Sequence, residues 1–265
     1  MKSLICCAVK GGVGKTTTTA GIGKALCRQG KKVAYLDLDY FGPTLNLELK
    51  VTEPLDGDGH GHIIPSHAPD GSQFVSFGQV YIRDQAVTVN EDSAVYEISQ
   101  LLEDGSILWD SPDYLMIDTA PTSSGTIQAS LKAPGLLGAV IVTQPSDLSE
   151  ADLLRSFSLM KDKRVPILGV VINQGYYICP KCGTESALYD LKSSDITEIC
   201  EKWDIPVLGM IPHSANLDDY FDTLAQNVLA AVPVILPEDK KPSKSVRRVL
   251  GWLGKILPSA TTNQK

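Results

Sequence analysis

The chain has no run of eighteen apolar residues, which excludes a membrane-spanning helix. The apolar run near its start is short and carries a single preceding charge, too little for a secretory leader, so a cytoplasmic location is the default. Positive charge is in deficit. The formal net charge is −7, which argues against a general nucleic-acid binder, because counterion release needs a basic surface. Cysteine is sparse too: six residues in a chain expected to be cytoplasmic do not make a disulfide framework. No second Cys-x-x-Cys exists to complete a four-thiolate site within one chain. No internal repeat is visible.

What is present is ordinary for a globular protein: 265 residues, 43% apolar and 21% charged. That length fits one large α/β domain or two small ones. Apolar runs at 3–9, 33–37, 74–78, 114–118, 138–143, 167–173 and 207–211 read as strands, mostly buried on both faces. Stretches of 3.6-residue spacing at 15–29, 90–104, 147–162, 193–203 and 217–231 read as helices between them. Gly30 suits the end of the first helix and Asp147 the cap of a later one. The expected fold is therefore α/β, a mostly parallel sheet of about seven to eight strands with helices on both faces. Residues 1–232 form one domain in this reading and 233–265 a tail, since proline and charge replace the alternation near Pro233–Pro242.

Residues 10–17 read Lys10-Gly11-Gly12-Val13-Gly14-Lys15-Thr16-Thr17, directly after the first strand. The glycines let successive N–H groups converge on an anion, and the helix opening near Lys15 adds its unpaired N–H groups and positive dipole end. Lys15 then reaches β/γ-phosphates, and the Thr16 hydroxyl can ligate Mg²⁺. Further carboxylates lie at strand ends, where ligands gather in open parallel sheets: Asp37 and Asp39 after the second strand, Asp118 after the fourth. Asp118 can hold Mg²⁺ through its water shell, and either Asp37 or Asp39 can polarise an attacking water. Taken alone, each of these aspartates reads equally well as a turn cap.

Val9 stands where an ordinary P-loop carries its first glycine, and Lys10 enters the loop instead. This resembles the deviant Walker A motif of the MinD/ParA/Mrp class of ATPases. The resemblance implies a P-loop NTPase that binds ATP and Mg²⁺ as a homodimer, with Lys10 reaching the partner's nucleotide. Asp37-Leu38-Asp39-Tyr40-Phe41-Gly42-Pro43-Thr44 and Asp118-Thr119-Ala120-Pro121 resemble switch I and switch II of the Mrp/ApbC branch. By that resemblance Asp39 orients the hydrolytic water, Asp37 and Asp118 support the metal, and Asn173 reads adenine. Switch II departs from the family form: Ala120 replaces a proline, and no aspartate follows Gly125. Val87-Thr88-Val89-Asn90 occupies the place of the family's W-R-G-P stretch.

Cys179-Pro180-Lys181-Cys182-Gly183 is a knuckle whose two thiolates can chelate one metal. A tetrahedral zinc or a cubane cluster wants four ligands, and a two-fold axis through the pair supplies them. Mrp/ApbC-type iron–sulfur carriers have such a sequence at this place, and the resemblance covers roughly 1–230. It implies a 4Fe-4S cluster bridged by the cysteines of two subunits and passed to apo iron–sulfur proteins. The alternative is a MinD/ParA-like, membrane-associated positioning ATPase whose cysteines hold structural Zn²⁺. Cys6, Cys7, Cys27 and Cys200 read as buried small apolar residues. His60, His62 and His67 read as solvated residues of a Gly/Pro/Asp-rich excursion over 53–72.

In the tail, Val246, Val249, Leu250, Leu253, Ile256 and Leu257 share one helical face, with Arg247, Arg248 and Lys255 off it. Residues 245–257 therefore suit an anionic membrane surface, as in MinD proper, or equally the ATPase core or a partner protein.

Overall fold

The computed structural model describes residues 1–40, 42–79, 90–103, 105–121, 125–146, 149–188, 193–214 and 216–237. Phe41, Val87–Val89, Thr122–Ser124, Asp147 and the amphipathic segment 245–257 lie outside the described residues. Along the chain run β1 (Lys2–Cys7), α1 (Lys15–Arg28), β2 (Val33–Leu38), α2 (Leu45–Leu49), β3 (Asp56–Gly57), β4 (Ile63–Ile64), β5 (Ser66–His67) and β6 (Gln73–Ser76). Then follow α3 (Glu91–Leu101), β7 (Tyr114–Thr119), α4 (Gly125–Ser130), β8 (Leu136–Thr143) and α5 (Ser149–Lys163). The last elements are β9 (Ile167–Ile178), β10 (Glu185–Ser186), α6 (Ser193–Lys202), β11 (Val207–His213) and α7 (Asp218–Ala230).

Among the described residues the main sheet has nine strands. Strands β1, β2, β6, β7, β8, β9 and β11 are parallel and coincide with the apolar runs of the sequence. The dipeptide strands β5 and β10 add antiparallel pairings to β6 and β9. β1 lies between β7 and β8, with β2 and β6 beyond β7 and β9 beyond β8. After β2 and β6 on one side, β7 returns to fill the place beside β1, and β8 and β9 then continue on the other side. That reversal opens a crevice at the carboxyl end of β1.

Side chains alternate along each strand, so β1 feeds both faces at once. Ile5 and Cys7 join a cluster with Ala94 and Ile98 of α3, Ile127 of α4, Phe157 of α5 and Ile196 of α6. Leu4 and Cys6 join the opposite cluster with Ile22 and Leu26 of α1, Leu45 of α2 and Phe221 and Leu224 of α7. Cys6, Cys7 and Cys200 are buried and Cys27 half-buried, as small apolar residues would be. α1 stops at Gly30, whose φ of +78° suits glycine. Lys31 N–H donates to the Leu26 carbonyl and Gly30 N–H to that of Cys27, the paired bonds of a Schellman ending. Past α7, Val234 pairs with Ile167 and Leu236 is buried on the α3–α6 side.

Candidate functional site

The loop between β1 and α1 turns on Gly12 (φ +76°) and Gly14 (φ +92°), values that L side chains rarely adopt. Gly14 is constrained a second way. A Cβ there would lie 2.1 Å from Asn173 Nδ2. That amide donates to the Val13 carbonyl at 2.9 Å, so β9 braces the loop from behind. Val13 is buried among apolar neighbours and anchors the loop's middle. The Lys15 side chain is buried at the start of α1, and Gly11 faces Pro121 across the crevice.

The strand-end aspartates converge beneath this loop. Asp37 and Asp118 are register partners on adjacent strands, and both are fully buried. Thr16 Oγ1 donates to Asp118 Oδ2 at 2.5 Å, and Thr19 Oγ1 lies 3.4 Å from Asp118 Oδ1. Asp37 accepts from Asp39 N–H at 3.0 Å, Leu45 N–H at 3.3 Å and Ser76 Oγ at 3.1 Å. Burial raises the Asp118 carboxyl to about 6, against the pull of the Thr16 hydroxyl and Lys15. Burial and the neighbouring Asp118 charge push Asp37 well above the usual carboxylate range. Two buried carboxylates beside a hydroxyl make a hard-oxygen donor set that favours Mg²⁺, whose charge would relieve their repulsion. Asp39 is half-buried and accepts from Gly42 N–H at 3.1 Å, which holds the loop after β2 in a tight turn.

Thus Lys15, Thr16, Asp37, Asp39 and Asp118 are drawn to one edge of the sheet. Lys10 lies at the loop's entrance with Nζ 3.4 Å from Ser146 Oγ, and Thr17 Oγ1 donates to Glu48 at 3.2 Å. Sequence reasoning passed over Thr19 and Ser76. Thr19 lay within the loop's own threonine run, and Ser76 at a strand end was the available signal. The amide of Asn173, expected to face a base, also supports the phosphate loop.

The cysteine pair belongs to a different part of the carboxyl edge. β9 continues past Asn173 to Ile178 and folds back as β10, and the knuckle is the turn of that hairpin. Cys179 N–H donates to the Thr184 carbonyl at 3.0 Å, and Gly183 N–H to the Cys179 carbonyl at 2.9 Å. Cys179 is half-buried and Cys182 exposed. Cys182 Sγ lies 3.2 Å from Thr184 Oγ1, and hydrogen bonding from Thr184 lowers its thiol below the ordinary value. Among the described residues no group of three or more His, Cys, Asp or Glu converges as a metal site, so the pair offers two ligands only. His62 is engaged by Asp58, with Nδ1 2.6 Å from Oδ2. No helix among the described residues is long and apolar enough to cross a membrane.

A family model described as the ParA, NUBPL iron-transfer P-loop NTPase matches residues 1–245. An iron-sulfur cluster carrier protein of Haemophilus influenzae is 32% identical over 259 residues, covering 94% of this chain and 67% of its own length. A protein of the same description from Methanocaldococcus jannaschii is 31% identical, with 91% and 80% covered. Among solved structures, a nucleotide-binding protein in complex with ADP from Archaeoglobus fulgidus superposes with a TM-score of 0.63 at 24% identity, covering 91% of this chain and 94% of that one. The cell division ATPase MinD of Pyrococcus furiosus gives 0.63 at 22% identity, with 87% and 99% covered. At these identities the structural likeness speaks for the fold.

Proposed function

The chain belongs to the NUBPL-type iron-transfer P-loop NTPases, and from that premise we propose that it is a homodimeric, ATP-hydrolysing carrier of a 4Fe-4S cluster. The observation that carries this reading is the Cys179–Cys182 hairpin, a two-thiolate half-site at the end of the strand that braces the phosphate loop. A second copy related by a two-fold axis brings the other two thiolates, and the cluster is cargo that leaves for apo iron–sulfur proteins. The carrier descriptions of relatives at about 30% identity support the same cargo.

In this reading Gly11, Gly12, Val13, Gly14, Lys15, Thr16 and Thr17 hold the phosphates of ATP. Thr16, Asp37 and Asp118 hold Mg²⁺, which neutralises charge on the phosphates. Asp39 orients the attacking water, and Lys10 reaches the partner's nucleotide. Asn173 contacts adenine through the part of its amide not given to Val13. Nucleotide state then shifts the population of dimer geometries and so the approach of the two cysteine pairs. Residues 1–232 are the ATPase domain, and Val234 and Leu236 just beyond them still pack on it. The tail 233–265 adds contact with an anionic membrane through 245–257, making the protein cytoplasmic with a peripheral membrane association.

Anaerobic reconstitution tests the reading. The expected result is about four irons per dimer, with a thiolate-to-iron absorption band that disappears in Cys179→Ser. Stoichiometric zinc with no iron uptake would overturn it and favour the positioning ATPase with a zinc clip.

A further inference from the structure

α3 is not part of the phosphate loop or of either strand end, yet it bonds to both loops that leave the strand-end aspartates. Its apolar side, with Ala94 and Ile98 buried, fixes it to the sheet. Asn90 caps its start, accepting from Ser93 N–H at 2.8 Å. Glu97 Oε2 accepts from the Tyr40 hydroxyl at 2.7 Å, and Tyr40 directly follows Asp39. Six residues earlier on the same helix, Glu91 Oε1 accepts from Gly125 N–H at 2.5 Å. Gly125 opens α4, at the far end of the loop that starts from Asp118.

Both bonds have a charged acceptor, the stronger class of hydrogen bond. The Tyr40 side of the first bond is held by packing. The Tyr40 ring is buried, with its centroid 4.4 Å from that of Phe77, so a shift of its hydroxyl moves the backbone that carries Asp39. Close-packed interiors resist such shifts unless space lies beside them. Here a cavity of about 360 Å³ adjoins Glu97, bounded by Leu55, Ile63, Val75, Phe77 and Leu101. The Glu97 end of α3 therefore has room to move.

We propose that α3 couples the two strand-end loops, with Glu97 and Glu91 as positioning residues that make the loop after β2 and the loop after β7 respond together. The proposal rests on the reading of those loops as the parts that sense nucleotide. It adds how they act in concert: Tyr40 and Gly125 are tied to one helix, so a shift of either biases the other.

Amide hydrogen exchange on the full chain, with and without Mg²⁺ and ATP, tests it. Tyr40→Phe removes one hydroxyl from the first loop. It should speed exchange of amides 125–131, in the other loop's helix, by roughly tenfold, the value of a hydrogen bond to a charged group. Glu91→Ala, which removes the acceptor for Gly125 N–H, should reciprocally loosen amides 44–49. Glu97→Gln keeps an acceptor for Tyr40 and should leave most of the protection in place, whereas Glu97→Leu should lose it. In ATP turnover Tyr40→Phe should lower kcat and leave KM nearly unchanged. Exchange that rises only in the loop whose own bond was cut would overturn the proposal. The exchange experiment without nucleotide reads the coupling even for a protein that takes up no iron and hydrolyses no ATP, so failure of the carrier reading remains a separate result.

Discussion

Replacing Asp118 with Asn should stabilise the nucleotide-free protein, against the usual expectation for a buried, hydrogen-bonded aspartate. Asp118 is fully buried and stands in register beside the equally buried Asp37. Burial lifts its carboxyl from 3.8 to about 6, so at neutral pH the native state carries an ionised group that it holds unfavourably. At 1.36 kcal/mol per pH unit, that penalty is about 3 kcal/mol. The sign follows from proton counts. Between 3.8 and about 6 the native state binds the proton that the unfolded chain has lost, so stability falls as pH rises through this window. Below it the penalty vanishes; above it the penalty is complete. Asn is neutral throughout and its carbonyl still accepts from the Thr16 hydroxyl. Asp118→Asn should therefore raise Tm near neutral pH by roughly 6–12 °C, taking about 2–4 °C per kcal/mol for a chain of this size. Below about pH 4 it should change Tm little.

Thermal melts followed by circular dichroism at the two pH values, with and without Mg²⁺ and ATP, decide the matter. The wild-type chain should gain stability from the ligands in proportion to RT ln(1 + [L]/Kd), and the variant should gain much less. A variant less stable than wild type at neutral pH would refute the reasoning, as would an equal shift at both pH values. The first would mean that the hydrogen bonds to Asp118 outweigh its burial, the second that the change in stability does not come from its charge.

Three further outcomes are expected. Brief alkylation of the native chain near neutral pH should label Cys182 first and Cys179 next. Cys6, Cys7, Cys27 and Cys200, pushed by burial up to about 12, should stay unmodified by mass spectrometry, and early labelling of any of them would contradict the packing described. Gly14→Ala should cost about 1–2 kcal/mol of backbone strain and displace the Asn173 amide, weakening nucleotide binding at least tenfold. Adding Asn173→Ala should recover part of the stability, a non-additivity that a double-mutant cycle measures. Lys10→Ala should leave Tm within about 0.5 kcal/mol of wild type, as for other partly exposed sites, while abolishing ATP-dependent dimerisation in sedimentation; dimers unchanged by the substitution would remove its proposed role across the interface.

The parts of the fold legible in the sequence are those whose signal is local. The seven parallel strands coincide with the apolar runs because both their faces are covered by helices, which leaves no polar face to blur the pattern. The phosphate loop was legible because its glycines, lysines and threonines are consecutive. α2 and α4 were not, since five and six residues are too few for a 3.6-residue period to declare itself. β9 ran longer than its apolar pattern suggested. Gln174 adopts φ +53°, and the pairing with β11 slips between Ile211 and His213, so the alternation breaks at Asn173 while the strand continues.

That irregular continuation turns two separate motifs into one mechanical unit. Asn173 touches the phosphate loop, and Cys179 lies six residues further on, just past the end of the same strand, on the order of 15–20 Å in extended chain. Composition and spacing could identify both residues as chemistry. They could not show that a single strand leads from one to the other, because the intervening Gln174-Gly175-Tyr176-Tyr177 reads as the start of a loop. The Tyr40–Glu97 and Glu91–Gly125 bonds were hidden for the same reason. Their partners are 57 and 34 residues apart, and nothing in a tyrosine, a glutamate or a glycine taken singly points to the other. The chemistry of this chain is written in short consecutive motifs, while the links between them run through residues that are individually unremarkable. Substitutions designed to separate binding from coupling therefore belong at Gln174, Tyr40 and Glu91 and not in the phosphate loop.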